Sequence, residues 1–527
     1  MSEDTTNLSK IPPRPRLAVR LLRKGLFVVA CLATVIAFLY VEENWRGKRA
    51  WENYKREWEA KGEKFDLASF VPPPVPDEEN FAMTPFLAPL FDLNPRPLQP
   101  DQSPWRDTNA ANRAMSFLSK LKEPEWAGDW TKTRQTFLTA WVEAQQKKTN
   151  GPESTKPTLS RTEAATEVLR ILEPYRPVMD ELQTASRRPY ARFNIHYTDK
   201  DQNPAAILLP HLAVVKRTAM IFQLRASAEL ALGRMDEAWA DVKTALYIGD
   251  SVKDEPFLIS GLVRIAVLRL SLERPVWDGL AGHQWSDAQL AELEQRLGGI
   301  DMLAEYGHGI RGERGLHNTG LEYLRTHRKE LNNLEESATP FFSWVIPSGW
   351  FYQNQLVLNR LHQEINLPQV DAAKHRVYPA GPSGSEDALI NQELYRGFPP
   401  YRFFARLLFP KLAKAQMKFA HAQTLVDEAM VACALERYRL AHGEFPQTLD
   451  ALVPQFIQKI PNDVFTGEPL KYQRNADGRF LLYSVGWNGT DDGGQVVRHA
   501  GSSGIVDLTK GDWVWPPESS TAYTISE

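Results

Sequence analysis

Hydrophobic and polar positions divide the chain into three zones. Residues 25–41 read G-L-F-V-V-A-C-L-A-T-V-I-A-F-L-Y-V and hold no charge. A run of that length is about the shortest that crosses bilayer hydrocarbon as a helix, roughly 17 residues. Leu21 and Leu22 lengthen it when Arg23 and Lys24 snorkel. Tyr40 and Trp45 stand where interfacial aromatic residues sit. From about Asn109 to Ile300 the pattern predicts helices. The 3.6-residue period is visible in Ala164–Leu172 and clearer from Leu212 to Leu272. The third zone opens on a long helix, from Phe404 or Leu412 to Ala441. Its stripe of Ala422, Val426, Ala429, Cys433 and Leu440 is narrow and suits close packing on a sheet. Glu436 and Arg437 interrupt the stripe and mark where the helix leaves the core. Gly443 stands at a left-handed C-cap, and Pro446 prevents continuation. T-L-D-A-L-V-P then predicts a short helix with Thr448 as N-cap. Leu470–Tyr472 and Phe480–Val485 read as short strands joined by N-A-D-G.

Connecting stretches complete the picture. Glu42–Lys64 is rich in Trp, Glu, Lys and Arg and reads as a solvated helix leaving a membrane. Pro72, Pro73, Pro74 and Pro76 favour a stiff polyproline II spacer holding the body off the bilayer, or else a docking peptide. Thr84–Pro104 is expected to lie along the body's surface. Phe341–Tyr352 is dense in aromatics and marks a buried seam or an interface. Pro379–Glu386 is a Pro/Gly/Ser loop and a boundary. The expected architecture is therefore mainly α. It comprises a cytoplasmic tail (1–24), a transmembrane helix (25–41), a juxtamembrane helix with Pro-rich spacer (42–104), a helical body (105–400) and a small C-terminal α+β module (404–527).

Charge adds orientation. Lys10, Arg14, Arg16, Arg20, Arg23 and Lys24 precede the apolar run; Glu42 and Glu43 follow it, with Arg46, Lys48 and Arg49 soon after. This bias favours a cytoplasmic N-terminus and an exported body, hence a single pass of the inner (cytoplasmic) membrane. The alternatives are a cleaved signal peptide and a buried soluble helix. The first lacks an A-x-A site, since A-F-L-Y-V-E-E is bulky there. The basic flank and the change of polarity speak against the second. The 62 basic and 65 acidic residues nearly balance, leaving no long-range field to attract nucleic acid. Cys31 and Cys433, the two cysteines, lie too far apart in kind of setting for a disulfide, and zinc spacing is absent.

Candidate chemistry is sparse. G-x-S-x-G, the phosphate-loop motif, G-x-G-x-x-G and H-E-x-x-H do not occur. The densest histidine group is His308, His317 and His327, with Glu305 and Glu313 nearby. On one continuous helix His308 and His317 face opposite sides. A joint site needs a break, which Gly309, Gly312 and Gly315 would provide. L-R-A-S-A-E-L-A-L-G-R-M-D-E-A-W-A-D-V-K-T-A-L resembles one tetratricopeptide-type hairpin. It turns at Gly233, with Ala226, Ala238 and Ala245 allowing close approach. No second copy follows at that period, so the hairpin reads as a packing unit.

Residues 432–494 carry an ordered set of landmarks. A-L-E-R-Y-R-L-A-H-G-E-F-P is followed by L-D-A-L-V-P, I-P-N-D-V-F-T-G-E-P-L-K-Y and L-Y-S-V-G-W-N-G-T-D-D-G-G. This order resembles the globular domain of the major pseudopilin of type II secretion systems. The tail G-I-V-D-L-T-K-G-D-W loosely resembles that family's closing segment. The resemblance implies a long helix packed on a small antiparallel sheet, and a loop that holds calcium. Calcium takes six to eight oxygen ligands. Ser484, Asn488, Thr490, Asp491 and Asp492 place oxygens within nine residues; Leu470 adds a carbonyl and Asp507 a carboxylate. Asn488 stands where the family usually has an acid. A metal-free polar turn is the alternative. The chain also departs from a filament subunit. No leader with a cleavage site precedes Gly25, and residues 42–403 separate the apolar helix from the module. The whole-chain arrangement is similar to that of membrane-anchored bacterial proteins without assigned activity.

The expected function is a membrane-anchored, exported, non-enzymatic binding or scaffold protein of the cell envelope. Its protein partners are expected among envelope or secretion components. The alternatives are an anchored enzyme built on Glu305, His308, Glu313 and His317, and a true pseudopilin-related component.

Overall fold

The computed structural model describes residues 16–94, 102–121, 135–150, 159–197, 207–333, 346–379, 385–409, 415–476, 478–499, 506–516 and 523–526. The chain is mostly helical, with small sheets near its C-terminus. Helix α1 (Arg16–Glu59) is continuous for 44 residues. Short 3₁₀ turns at Leu67–Phe70, Asp77–Glu79, Phe81–Met83 and Ala88–Leu90 follow it. The first half of the body holds α2 (Thr108–Ser116), α3 (Gln135–Asn150), α4 (Arg161–Leu172), α5 (Arg176–Ala185), α6 (His211–Ala231) and α7 (Met235–Asp250). The second half holds α8 (Leu258–Ser271), α9 (Trp277–Ala281), α10 (Asp287–Leu297), α11 (Met302–Thr326) and α12 (Ser348–Arg360). Then come α13 (Ser385–Tyr395), α14 (Phe403–Leu408) and α15 (Ala415–His442).

Local chemistry sets many boundaries. Ser160 and Glu163 form a reciprocal capping box on α4, as Ser286 and Gln289 do on α10. Asp301 caps α11 by accepting from the Ala304 N–H at 2.8 Å. Gly233, at φ +74°, turns the chain between α6 and α7, and Ala226, Ala238 and Ala245 are fully buried between them. A helical hairpin is therefore present at these residues. Pro275 lacks an N–H, and a π-helical segment at Leu272–Val276 carries α8 into α9 around it.

The Pro-rich stretch lies on the body. Arg192 Nε donates to the Pro72 carbonyl at 3.0 Å, and Phe81 and Leu90 enter the core of the first half. A second core joins α6–α11 to α15 and the C-terminal sheet, through Ala226, Tyr306, Phe419, Leu482 and Trp515 among others. A third fills the space among α11, α12, α13 and α14, with Phe351 and Phe404 stacked 5.2 Å apart. Phe351 is thus a core residue of the aromatic run, whose first five residues lie outside the described ones.

The C-terminal region differs in detail from its sequence reading. Helix α15 begins at Ala415, after the separate α14, and residues 410–414 lie outside the described ones. Ala422, Val426, Ala429 and Cys433 are buried as expected, but Leu440 is 45% exposed. The buried surface of α15 is no stripe. Asp427, Glu428 and Glu436 are buried too, because α8, α10 and α11 pack on one side and two strands on the other. Glu436 stays inside by pairing with Arg439 and His283. Gly443, at φ +83°, is the left-handed cap, with its N–H on the Arg439 carbonyl at 2.7 Å. Thr448 starts the 3₁₀ turn Leu449–Leu452 without a side-chain cap bond.

Two three-stranded sheets follow. In the first, β3 (Lys471–Arg474), β4 (Phe480–Ser484) and β7 (Trp513–Trp515) run antiparallel in the order β3-β4-β7. In the second, β5 (Val496–His499) pairs antiparallel with β6 (Val506–Gly511) and parallel with β8 (Tyr523–Ser526). The remaining strands, β1 (Val370–Asp371) and β2 (Arg376–Val377), form a two-residue ribbon. Gly511, at φ +68°, lets consecutive strands β6 and β7 serve different sheets. Both cysteines are free, Cys31 exposed and Cys433 buried.

Candidate functional site

Helix α1 has two halves with opposite surroundings. From Val19 to Val41 its large apolar side chains are exposed, and this is the one described helix long and apolar enough to cross a membrane. From Glu43 onward it docks on the body. The Gly349 N–H donates to Asn44 Oδ1 at 2.8 Å, and Trp350 Nε1 donates to Glu43 at 3.1 Å. Tyr401 Oη donates to the same carboxylate at 2.7 Å. About two turns further, Trp51 and Tyr54 form a buried cluster with Phe65 and Leu356. The sequence reading of a solvated helix missed this face, because its Trp and Tyr residues alternate with charges that do remain in water.

Beyond α1 the chain is clamped to α11. Arg314 is fully buried and donates to Glu63 at 2.6 Å and to the Lys64 carbonyl at 2.6 Å. Its guanidinium also lies 4.4 Å from the Phe65 ring centre. Arg311 adds a second ion pair to Glu63 at 3.0 Å. Burial pushes the Glu63 carboxyl up, but the hydrogen bonds and charges of the two arginines outweigh it and hold it at about 2.

The histidine group separates on α11. The helix runs unbroken through Gly309, Gly312 and Gly315, which instead admit neighbouring chain: a Cβ on Gly312 would fall 1.9 Å from the Pro256 carbonyl oxygen. Glu305 pairs with Arg264 at 2.9 Å, and burial raises its carboxyl to about 7. Glu313 accepts the Leu258 N–H at 3.0 Å. His308 meets the Phe70 ring edge-on. His317 stacks on His362, with nitrogens 3.3 Å apart. Burial depresses both imidazoles, His317 to about 4, so the pair is neutral at neutral pH. His327 ends the helix and stacks on Tyr323. Each of the four enzyme candidates therefore has its own partner: Arg264 and Leu258 of α8 for Glu305 and Glu313, Phe70 for His308 and His362 for His317. Among the described residues no group of three or more His, Cys, Asp or Glu is arranged to hold a metal ion.

The acidic loop is a tight turn closed by its own side chains. Asn488 Oδ1 accepts the Thr490 N–H, and its Nδ2 donates to Asp492 at 3.0 Å. Asp491 accepts from Tyr483 Oη and the Gly493 N–H and lies 3.2 Å from Lys471 Nζ. Asp512, unnamed in the sequence reading, is the buried centre. It accepts the Gly494 N–H at 2.6 Å and the Asp492 N–H at 3.1 Å. Burial raises its carboxyl to about 6. The signal was present as K-G-D-W, an acid between a glycine and the first tryptophan of β7. Of the expected calcium ligands, Ser484 is buried and accepts the Gly486 N–H. Leu470 is buried beside β3. Asp507 is occupied by the Thr509 N–H and hydroxyl at 3.0 and 2.6 Å.

A second set of acids lies inside the molecule. Asp427 accepts from His375 Nε2 at 2.8 Å and from Gln423 at 3.0 Å. Glu428, 2% exposed, has one carboxyl oxygen without a hydrogen-bond partner. Burial and the nearby Asp463 and Asp427 push its carboxyl well up, which favours the protonated acid. The open cleft of about 410 Å³ between Thr84–Pro85 and α5 has Glu181 on its wall, which accepts the Phe86 N–H. No family model, curated protein or solved structure matches the chain.

Proposed function

We propose that the chain is a single-pass, membrane-anchored protein whose helical body is a non-enzymatic binding scaffold on the extracytoplasmic face. The observation that carries this reading is α1. One unbroken helix passes from an exposed apolar half into a half bonded to α12, so the span and the body are coupled without a hinge. The basic residues before the span and the acids after it support a cytoplasmic N-terminus. The landmarks of residues 432–494 support partners among envelope or secretion proteins. The test is a Cys placed at exposed Leu440 and labelled in intact cells with a membrane-impermeant maleimide, followed by in-cell crosslinking. Labelling without permeabilisation and recovery of envelope proteins support the reading. Labelling only after permeabilisation contradicts its orientation, and crosslinks to no envelope protein contradict the scaffold role.

A calcium ion at the acidic loop is a second proposal. The clustered oxygens of Asn488, Thr490, Asp491 and Asp492, with Asp512 behind them, support it. Binding requires Asp491 to exchange Lys471 for the ion.

A further inference from the structure

Outside α1, the described residues expose ten large apolar side chains, and four of them lie within thirteen residues: Tyr395, Phe398, Phe403 and Leu407. The others stand singly, as surface apolar residues ordinarily do. The four form one patch around α14. Phe403 and Leu407 are one helical turn apart and share a face. Arg406 lies over the Tyr395 ring at 4.7 Å, tying the end of α13 to α14. Phe398 packs edge-on against Tyr401 and Trp350, with centres 5.0 and 5.7 Å apart.

Those two contacts fix where Phe398 sits. Tyr401 and Trp350 both donate to Glu43, two residues beyond the last residue of the apolar run. Two residues of helix rise about 3 Å. The headgroup layer on each side of a bilayer is about 5–7 Å thick. If Val41 ends the span, Glu43 lies in that layer, and Phe398 lies one side chain away from it. Trp45, 60% exposed on α1, stands at the same level. Three guanidiniums stand at the patch: Arg46 donates to Tyr401, Arg402 to the Glu393 carbonyl at 2.6 Å and Arg406 to the Leu394 carbonyl at 2.8 Å. Aromatic rings beside arginines suit a boundary that is apolar on one side and phosphate-rich on the other.

We propose that residues 395–407 are a membrane-contact belt, seated in the headgroup layer of the bilayer that α1 crosses and facing anionic phospholipid. The proposal rests on the anchored reading of α1. The helix supplies the tether and the belt a second contact, so the body lies against the bilayer in one orientation. With α1 inserted, the belt meets the bilayer at high effective concentration, so a contact that is weak by itself is populated.

The test uses the full chain in phosphatidylcholine–phosphatidylglycerol vesicles, in a Cys31→Ser background in which Cys433 is buried. An environment-sensitive fluorophore is placed at Phe398→Cys, at Leu407→Cys or, in the span, at Val35→Cys. Each labelled chain is first matched to its parent by thermal melt. The belt predicts loss of fluorescence with lipid spin-labelled near the headgroup, at Phe398→Cys and Leu407→Cys alike, and protection from aqueous iodide. Quenching by iodide at both belt positions, with Val35→Cys still quenched by acyl-chain spin label, overturns the belt and leaves the anchor. Loss of lipid quenching at Val35→Cys overturns the anchored reading itself.

Discussion

Gly47 and Gly349 face each other where α1 crosses α12: a Cβ built on Gly47 would lie 2.4 Å from the Gly349 carbonyl oxygen. In the other direction, a Cβ on Gly349 would lie 2.0 Å from the Glu43 carbonyl oxygen. Both obstacles are backbone, so neither can swing aside. Gly349→Ala must separate the helices and strain the bonds at Glu43 and Asn44. Overpacking of this kind costs about 1–3 kcal/mol. The expected result is faster amide exchange in residues 43–58, with the α6–α7 hairpin unchanged.

Glu63→Gln removes the carboxylate that neutralises fully buried Arg314. Breaking a buried pair from one side costs about 3–5 kcal/mol. The sign with pH follows from the depressed carboxyl. Glu63 contributes fully above its ordinary 4.5 and loses that contribution as pH falls toward about 2. Denaturant melts should show a gap between parent and variant at neutral pH that narrows across that window. A gap independent of pH would contradict the ion pair.

Glu428→Gln should act in the opposite sense. Folding pushes the Glu428 carboxyl well above its ordinary 4.5, so above that pH the folded chain holds a proton more strongly than the unfolded one. Stability therefore falls with rising pH, by up to about 1.4 kcal/mol per pH unit for one proton. Glutamine mimics the protonated acid and removes that slope. The variant should be more stable than its parent in mildly alkaline buffer, and similar in acid. A less stable variant in alkali would show that the carboxyl is charged and paired.

Calcium and Lys471 compete for Asp491 if the loop binds the ion. Lys471→Gln should then enlarge the calcium-dependent rise in melting temperature, and Asp491→Ala should abolish it. No rise in either the parent or Lys471→Gln leaves the loop as a self-closed turn. Asp512→Ala tests the turn without metal. It strips the acceptor from the Gly494 and Asp492 N–H groups, an expected loss of about 1–3 kcal/mol.

How far the sequence was readable follows from what each signal depends on. The apolar run, the Gly233 turn and the Gly443 cap are local: their meaning lies in a few adjacent residues, and the structure has all three. The helical character of the body was readable for the same reason. The wrapping of α15 was not, because Asp427 and Glu436 look like surface residues until His375, His283 and Arg439 are brought beside them. Strands β5 to β7 are three to six residues long and too short to show alternation. Asp512 matters only through backbone N–H groups some twenty residues earlier. The seam of α1 with α12 joins positions about 300 residues apart, and glycine at 47 and 349 says nothing locally of the other.

The central claim is that α1 crosses a bilayer and holds the body to it. Alkaline carbonate extraction of membranes from cells producing the full chain, beside residues 42–527, tests it most directly. The account predicts that the full chain stays with the bilayer and that the shortened chain is released. Release of the full chain into the alkaline wash would contradict it, and the exposed apolar half of α1 would then require a protein partner.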